Sequence, residues 1–271
     1  MKRAFSLVEL SIVLVILGLL VGGVLAGKSL IHASELRSVS RDFQKYQTAT
    51  YTFRDKYFYF PGDIPNATQF WGAADGDDGT DSSGAACTTV VSTTAATCNG
   101  NGDGTLVQLN EPFRLWQHLA NAGLIEGQYS GAQDTVTGVS PAYFNVGLNG
   151  PRSSISRAGF VLWSYGGPTG LQFRTAAALG EIFSGNFFIF MRPLPAAAGG
   201  GPATQILLGA LSHEDAWNID TKMDDGVAES GKVRGSIFKA TGAGNITNMT
   251  CATYDLANTT NTCALGFIFG Q

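Results

Sequence analysis

Hydrophobic positions along the chain fall into three regimes. In the first, "FSLVELSIVLVILGLLVGGVLAG" from Phe5, they run almost without interruption. Residues 10–26 alone are long enough to cross a bilayer as a helix. In the second, after "GKSLIHASE", they recur at Leu36, Val39, Phe43, Tyr46, Thr50, Phe53 and Tyr57. Those gaps of three and four stack the residues along one side of a helix. Arg37, Arg41, Lys45, Arg54 and Asp55 fall mostly outside that seam, and Pro61 and Gly62 in "YFPGD" stop the helix. The two regimes together predict one continuous helix over 5–57, roughly 80 Å long at 1.5 Å per residue. Gly18, Gly22, Gly23 and Gly27 lie in its apolar half. Small residues let membrane helices approach closely, and each costs the helix about 1 kcal/mol relative to Ala.

The third regime, 58–271, is a mixture. "EPFRLWQHLANA" at 111–122 predicts a helix: Pro112 suits its first turn, Gly123 its stop, and Phe113, Trp116, Leu119 and Ala120 share a face. Strands are expected at 160–165, 171–175, 182–191, 233–239 and 264–269, where aromatic and β-branched runs are bounded by Gly and Pro. Ser212 with Asp215 reads as the cap of a short helix before Ile219. No internal repeat is present, and "PLPAAAGGGPAT" at 193–204 reads as an excursion of one unit, not a linker. The expectation is an α+β fold: a long N-terminal helix packed on the antiparallel β-sheet of a single head, 58–271.

Composition sharpens this in two ways. Charged residues make up 14% and the net charge is −4, which gives no basic face for nucleic acid. The 35 glycines and the Ser, Thr, Asn and Ala of the second half suit a loop-rich, surface-exposed domain. Four cysteines form two local couples, Cys87 with Cys98 and Cys251 with Cys263, without the tight spacing or nearby His of a metal site. Two disulfides closing short loops, in an oxidising compartment, are expected, with free thiols the alternative.

The first 27 residues admit three readings. Lys2 and Arg3 before an apolar run, with "VLAG" after it, form the outline of a secretory signal. The same run reads as a plain anchor with the head outside the cytoplasm. Neither has a use for Glu9, whose carboxylate in hydrocarbon costs on the order of 3 kcal/mol. In the third reading a peptidase cuts between Ala4 and Phe5. The new α-ammonium of Phe5 on one helix then meets Glu9 on the next, neutralising both charges and setting the stagger between copies.

"KRAFSLVELSIVLVILGLL" resembles the N-terminus of type IV pilins and of the pseudopilins of type II secretion. Phe5, Ser6, Leu7, Val8 and Glu9 match the family's pattern position by position. The family usually has Gly before the cut, where this chain has Ala4. The resemblance implies a leader, 1–4, removed by a prepilin peptidase that methylates the amine of Phe5. It also implies a transmembrane and assembly half at 5–27 and an amphipathic half at 28–57.

Three acid-and-glycine stretches are candidates for chemistry. "NGNGDGTLVQLN" places Asn99, Asn101, Asp103 and Gly104 at EF-hand-like positions, but Asn110 stands where the closing Glu belongs, so a glycine-rich turn is expected. "ADGDDGTD" at 74–81 reads as a solvated loop. In "NIDTKMDDGVAESGKV", Asp220, Asp224 and Asp225 repel one another unless a cation or solvent intervenes. Pseudopilins often carry calcium in a late loop of this character, so the resemblance implies calcium there; the alternative is a solvated turn with Lys222 as counter-ion. His32, His118 and His213 are scattered, and no GxSxG, HExxH or phosphate-binding loop is present, so no enzyme is expected.

The resulting expectation is a filament subunit, of a pilus or pseudopilus. It waits in the bacterial inner membrane with its head extracytoplasmic and polymerises through its N-terminal helix to a surface pilus or periplasmic pseudopilus. Its partners are identical or related subunits, membrane lipid, a prepilin peptidase and an assembly platform with a cytoplasmic ATPase. The alternative is a membrane-anchored binding protein or adhesin that never polymerises.

Overall fold

The computed structural model describes residues 7–74, 95–106, 111–132, 144–155, 157–164, 186–193, 207–235, 237–238, 249–251, 253–260 and 262–269. Helix α1, Leu7–Tyr57, runs unbroken for 51 residues, about 76 Å at 1.5 Å per residue. Its apolar first half is exposed, and its first buried residue is Leu36. From there Leu36, Val39, Phe43, Tyr46, Thr50 and Phe53 are buried, as the spacing predicts, joined by Ala49, while Tyr57 is half-buried. The helix ends on a left-handed residue, Phe58 (φ 65°), whose N–H donates to the Arg54 carbonyl at 2.7 Å. That position usually holds Gly. The turn completes at Gly62, with φ +96° and the Glu111 carbonyl so close that a Cβ there would collide with it.

A short helix the hydrophobic pattern does not reveal, α2 (Ala67–Trp71), follows. Helix α3, Glu111–Asn121, forms where expected. Its polar side is buried too: Arg114, Gln117 and His118 are all at most 3% exposed. Gln117 donates to the Ala96 carbonyl at 3.1 Å and accepts from the Thr97 hydroxyl at 2.6 Å, so the polar face is answered by the 95–99 segment instead of water.

The main sheet is antiparallel, in the order β1 (Gly159–Ser164), β2 (Asn186–Pro193), β7 (Leu265–Ile268), β4 (Val233–Gly235), with β3 (Leu207–Leu208) paired to β2. Strands β5 (Ile237–Phe238) and β6 (Met249–Thr250) pair separately. The register sets Phe160 opposite Phe190 and Phe188 opposite Phe267. Phe187, Ile189 and Met191, on the other face of β2, are also buried. A strand buried on both sides explains why "NFFIFM" reads as an almost continuous apolar run. The expected strand at 171–175 and the excursion from 194 lie outside the described residues.

The seam of α1 lies on the aromatic face of this sheet. Phe43 stacks on Phe267 at 4.7 Å between ring centroids and meets Phe188 edge-on at 6.3 Å. Tyr46 meets Trp116 of α3 at 5.0 Å and Phe160 of β1 at 5.4 Å. Helix α4, His213–Met223, starts at the expected cap, where the Ser212 hydroxyl accepts from the Asp215 N–H at 3.1 Å. It continues past Ile219 because Ala216 and Ile219 prolong its apolar face into the core. A Cys251–Cys263 disulfide closes the last loop. Cys98 is also disulfide-bonded; its expected partner Cys87 lies outside the described residues. The protein is thus an α+β molecule with a long N-terminal helix, half of it packed on a small antiparallel sheet.

Candidate functional site

The first candidate is the free-standing half of α1. From Ile12 to Leu17 six consecutive apolar residues are each 47–62% exposed, which takes the exposed surface right round the helix, and Leu7, Leu19, Leu25 and Leu30 are more than half exposed as well. Water does not tolerate such a surface over so many turns, and the segment is long and apolar enough to cross a membrane. Glu9 stands exposed in its first turn. Ala4 and Phe5 lie outside the described residues. Where the apolar half ends, His32 contacts the head: its Nε2 is 2.8 Å from Asp215 of α4, and its Nδ1 is 3.8 Å from Glu35.

The second candidate is the acidic loop. The end of α4 brings Asp220, Asp224 and Asp225 together, with one carboxylate oxygen of each within 4.8 Å of the others. Asp220 is fully buried; its Oδ2 accepts from the Tyr254 hydroxyl at 2.7 Å and its Oδ1 from the Gly226 N–H at 3.2 Å. Burial raises its pKa above the usual carboxylate range, against the pull of those donors, and Asp225 and Asp224 add to the rise. Tyr254 is itself held above its ordinary value by burial and by Asp220. Asp224 accepts from the N–H groups of Lys232 and Val233, and Gly231 (φ +72°) passes so close that a Cβ would collide with its carboxylate. Asp225 accepts from the Ser230 hydroxyl at 2.6 Å and the Val227 N–H at 2.9 Å, which hold its pKa below the usual range. The donor set is all oxygen and anionic, and each of the three carboxylates keeps at least one oxygen with a lone pair beyond those used here. Such a set fits a hard cation such as calcium, which takes oxygen ligands.

The third stretch is a turn. The Asn99 side chain is directed inward, accepting from the Thr68 N–H at 2.9 Å to cap α2. Asp103 accepts from Asn101, from the Thr105 N–H and from its hydroxyl, and these outweigh burial to lower its pKa. What organises the turn is Asp63, a residue sequence reasoning passes over as part of the helix stop. It is 1% exposed and accepts from Gly102 at 2.7 Å, Gly104 at 2.9 Å and Asp103 at 3.2 Å. Burial pushes its carboxyl up, the N–H donors of Gly104 and Gly102 oppose this, and the result is about 6. A loop whose amides converge on a protein carboxylate already has its anion. The 75–81 acidic stretch lies outside the described residues.

His118 is a core residue. It is fully buried between Phe53 and Trp71, its Nδ1 accepts from the Gly62 N–H at 2.9 Å, and Thr97 meets its Nε2 at 2.9 Å. Burial and the charge of Arg114 depress its pKa to about 3, so it stays neutral. His213 Nδ1 accepts from the Asp255 N–H at 3.1 Å, fixing the disulfide loop to α4. Comparison with protein-family models, curated proteins and solved structures gave no match.

Proposed function

We propose that this chain is a pilin-like subunit that assembles into a type IV pilus or a type II secretion pseudopilus. One observation carries the reading. A single unbroken helix has one half packed on its own head, while the other half, apolar all round and bearing Glu9, is left unburied by the described residues. Such a half needs lipid before assembly and other copies of itself afterwards. The match of Phe5 to Glu9 with the pilin pattern supplies the rest. A prepilin peptidase cuts between Ala4 and Phe5, and the amine so formed pairs with Glu9 of a neighbour. Apolar packing then supplies the affinity and the charge pair the register. The head waits outside the inner membrane until an assembly platform with its ATPase draws the subunit into the fibre. The Asp220, Asp224 and Asp225 cluster holds calcium and stiffens the head.

The test is Glu9→Gln, which keeps the shape and removes the charge. The variant should reach the membrane in normal amount while filament yield falls at least tenfold. Unchanged yield would leave the non-polymerising anchored protein as the better reading.

A further inference from the structure

The side of α1 opposite its seam carries Arg37, Arg41 and Lys45, all exposed. At spacings of four they stand in line on the helix, about 12 Å from first to last. None of them makes a hydrogen bond or ion pair with a described residue. Asp42 lies beside them, half-buried, its carboxyl raised by burial despite Lys45 and Arg41 nearby. Glu35 is turned toward His32. Like charges four apart weaken a helix by about 0.2–0.5 kcal/mol per pair, and Asp42 is the acid on the helix that offsets Arg41 and Lys45.

The opposite charge is on the head. Residues 28–57 hold six Lys and Arg against three Asp and Glu, whereas 58–271 hold nine against seventeen. Exposed acids at the start of α4 are Glu214 on the helix and Asp255, whose N–H meets His213, neither of them in the three-carboxylate cluster; the exposed cation of α4, Lys222, stands in its last turn, about 12 Å along the axis from Glu214. Trp217, 37% exposed on α4, is an anchor of the kind interfaces favour.

The vertical distances agree. Asp215 touches His32, so α4 starts level with that residue of its own α1. Arg41 lies nine positions further on, about 14 Å along the axis. A parallel copy set about 14 Å closer to the membrane therefore presents its basic ridge at the height of this α4. Subunits side by side in a bilayer cannot take that offset; subunits leaving it one after another can.

We infer that Arg37, Arg41 and Lys45 of one copy dock on the acidic α4 face of a second copy, around Glu214 and Trp217. The inference rests on the filament reading and adds to it a second register, outside the lipid. Contacts of this kind set specificity and orientation more than affinity, and salt weakens them.

The experiment uses the full chain in cells that assemble it, with sheared filaments quantified by sedimentation and Glu9→Gln as the reference. Arg41→Glu and Glu214→Arg should each lower yield at least fivefold, and the double variant should return to within twofold of the parent. In assembled filaments, Arg41→Cys combined with Glu214→Cys should oxidise to a covalent ladder on a denaturing gel. A parent chain that makes no filaments, or a Glu9→Gln chain that makes as many, overturns the filament reading itself. Where filaments form and depend on Glu9, the docking is overturned by unchanged yield in the single variants, by failure of the double to recover, or by the absence of a ladder.

Discussion

Phe43→Ala and Leu14→Ala remove large apolar side chains from the same helix and should have opposite consequences. Phe43 is 7% exposed, stacked on Phe267 and edge-on to Phe188. Truncating a buried Phe costs about 3–5 kcal/mol, and losing two ring contacts worth about 0.5–1.5 kcal/mol each places this site in the upper half of that range. For a head of this size each kcal/mol shifts the melting temperature by about 2–4 °C, so a fall of about 10–15 °C is expected. Leu14 is 61% exposed, in the half of α1 that the described residues leave unburied. Its truncation should leave the head's melting within about 0.5 kcal/mol of the parent. Near-ultraviolet circular dichroism of the full chain in one detergent reads both, because Trp116 packs against Tyr46 in the same cluster. A loss below about 1 kcal/mol for Phe43→Ala, or equal losses for the two variants, would refute the division of α1 into a packed and an unpacked half.

Further outcomes follow from the head. Asp63 has a folded pKa of about 6, above its ordinary 3.8, so its contribution to stability is complete below about pH 4 and lost as pH rises through 6. The head should therefore melt higher at pH 5 than at pH 7.5, by about 1.4 kcal/mol from this group, and Asp63→Asn should flatten that slope; a slope that survives the substitution contradicts it. Chelator should lower the melting temperature of calcium-loaded protein, by about 2.7 kcal/mol where calcium stood at a hundred times its Kd. Asp225→Asn, or Gly231→Ala with its forced clash on Asp224, should abolish that difference; a parent indifferent to chelator removes the calcium proposal. Removing the Cys251–Cys263 disulfide, which spans 12 positions, should cost about 3 kcal/mol in a denaturant titration, and a change below about 1 kcal/mol would show that the loop is held by other contacts, such as that of His213 with Asp255.

The parts legible in the sequence are those written in a single period. The seam of α1 could be read because the head covers one face of the helix without a break from Leu36 to Tyr57, with the sheet under Phe43 and Tyr46 and α2 and α3 under Phe53 and Tyr57. β1, β2 and β7 could be read because their aromatic runs are bounded by Gly and Pro. α2, β3 and β6 are too short, at five, two and two residues, to carry a period. The burial of Arg114, Gln117 and His118 depends on what the 95–99 segment offers them, which no spacing within α3 reveals. At the acidic loop, the crowding of Asp220, Asp224 and Asp225 is plain in the sequence. Tyr254, which donates to Asp220 from 34 positions away, is brought there only by the fold. Asp63 is hidden for the same reason: its partners lie 39 to 41 residues on.

The central claim is that the exposed apolar half of α1 is an assembly surface whose acid is answered by an amine made by cleavage before Phe5. The intact mass and N-terminal fragment spectrum of the mature protein, purified from cells with an active assembly system, test it most directly. The account predicts a chain that begins at Phe5 with a methylated amine and retains Glu9. A chain that begins after Ala26, or still carries residues 1–4, contradicts it.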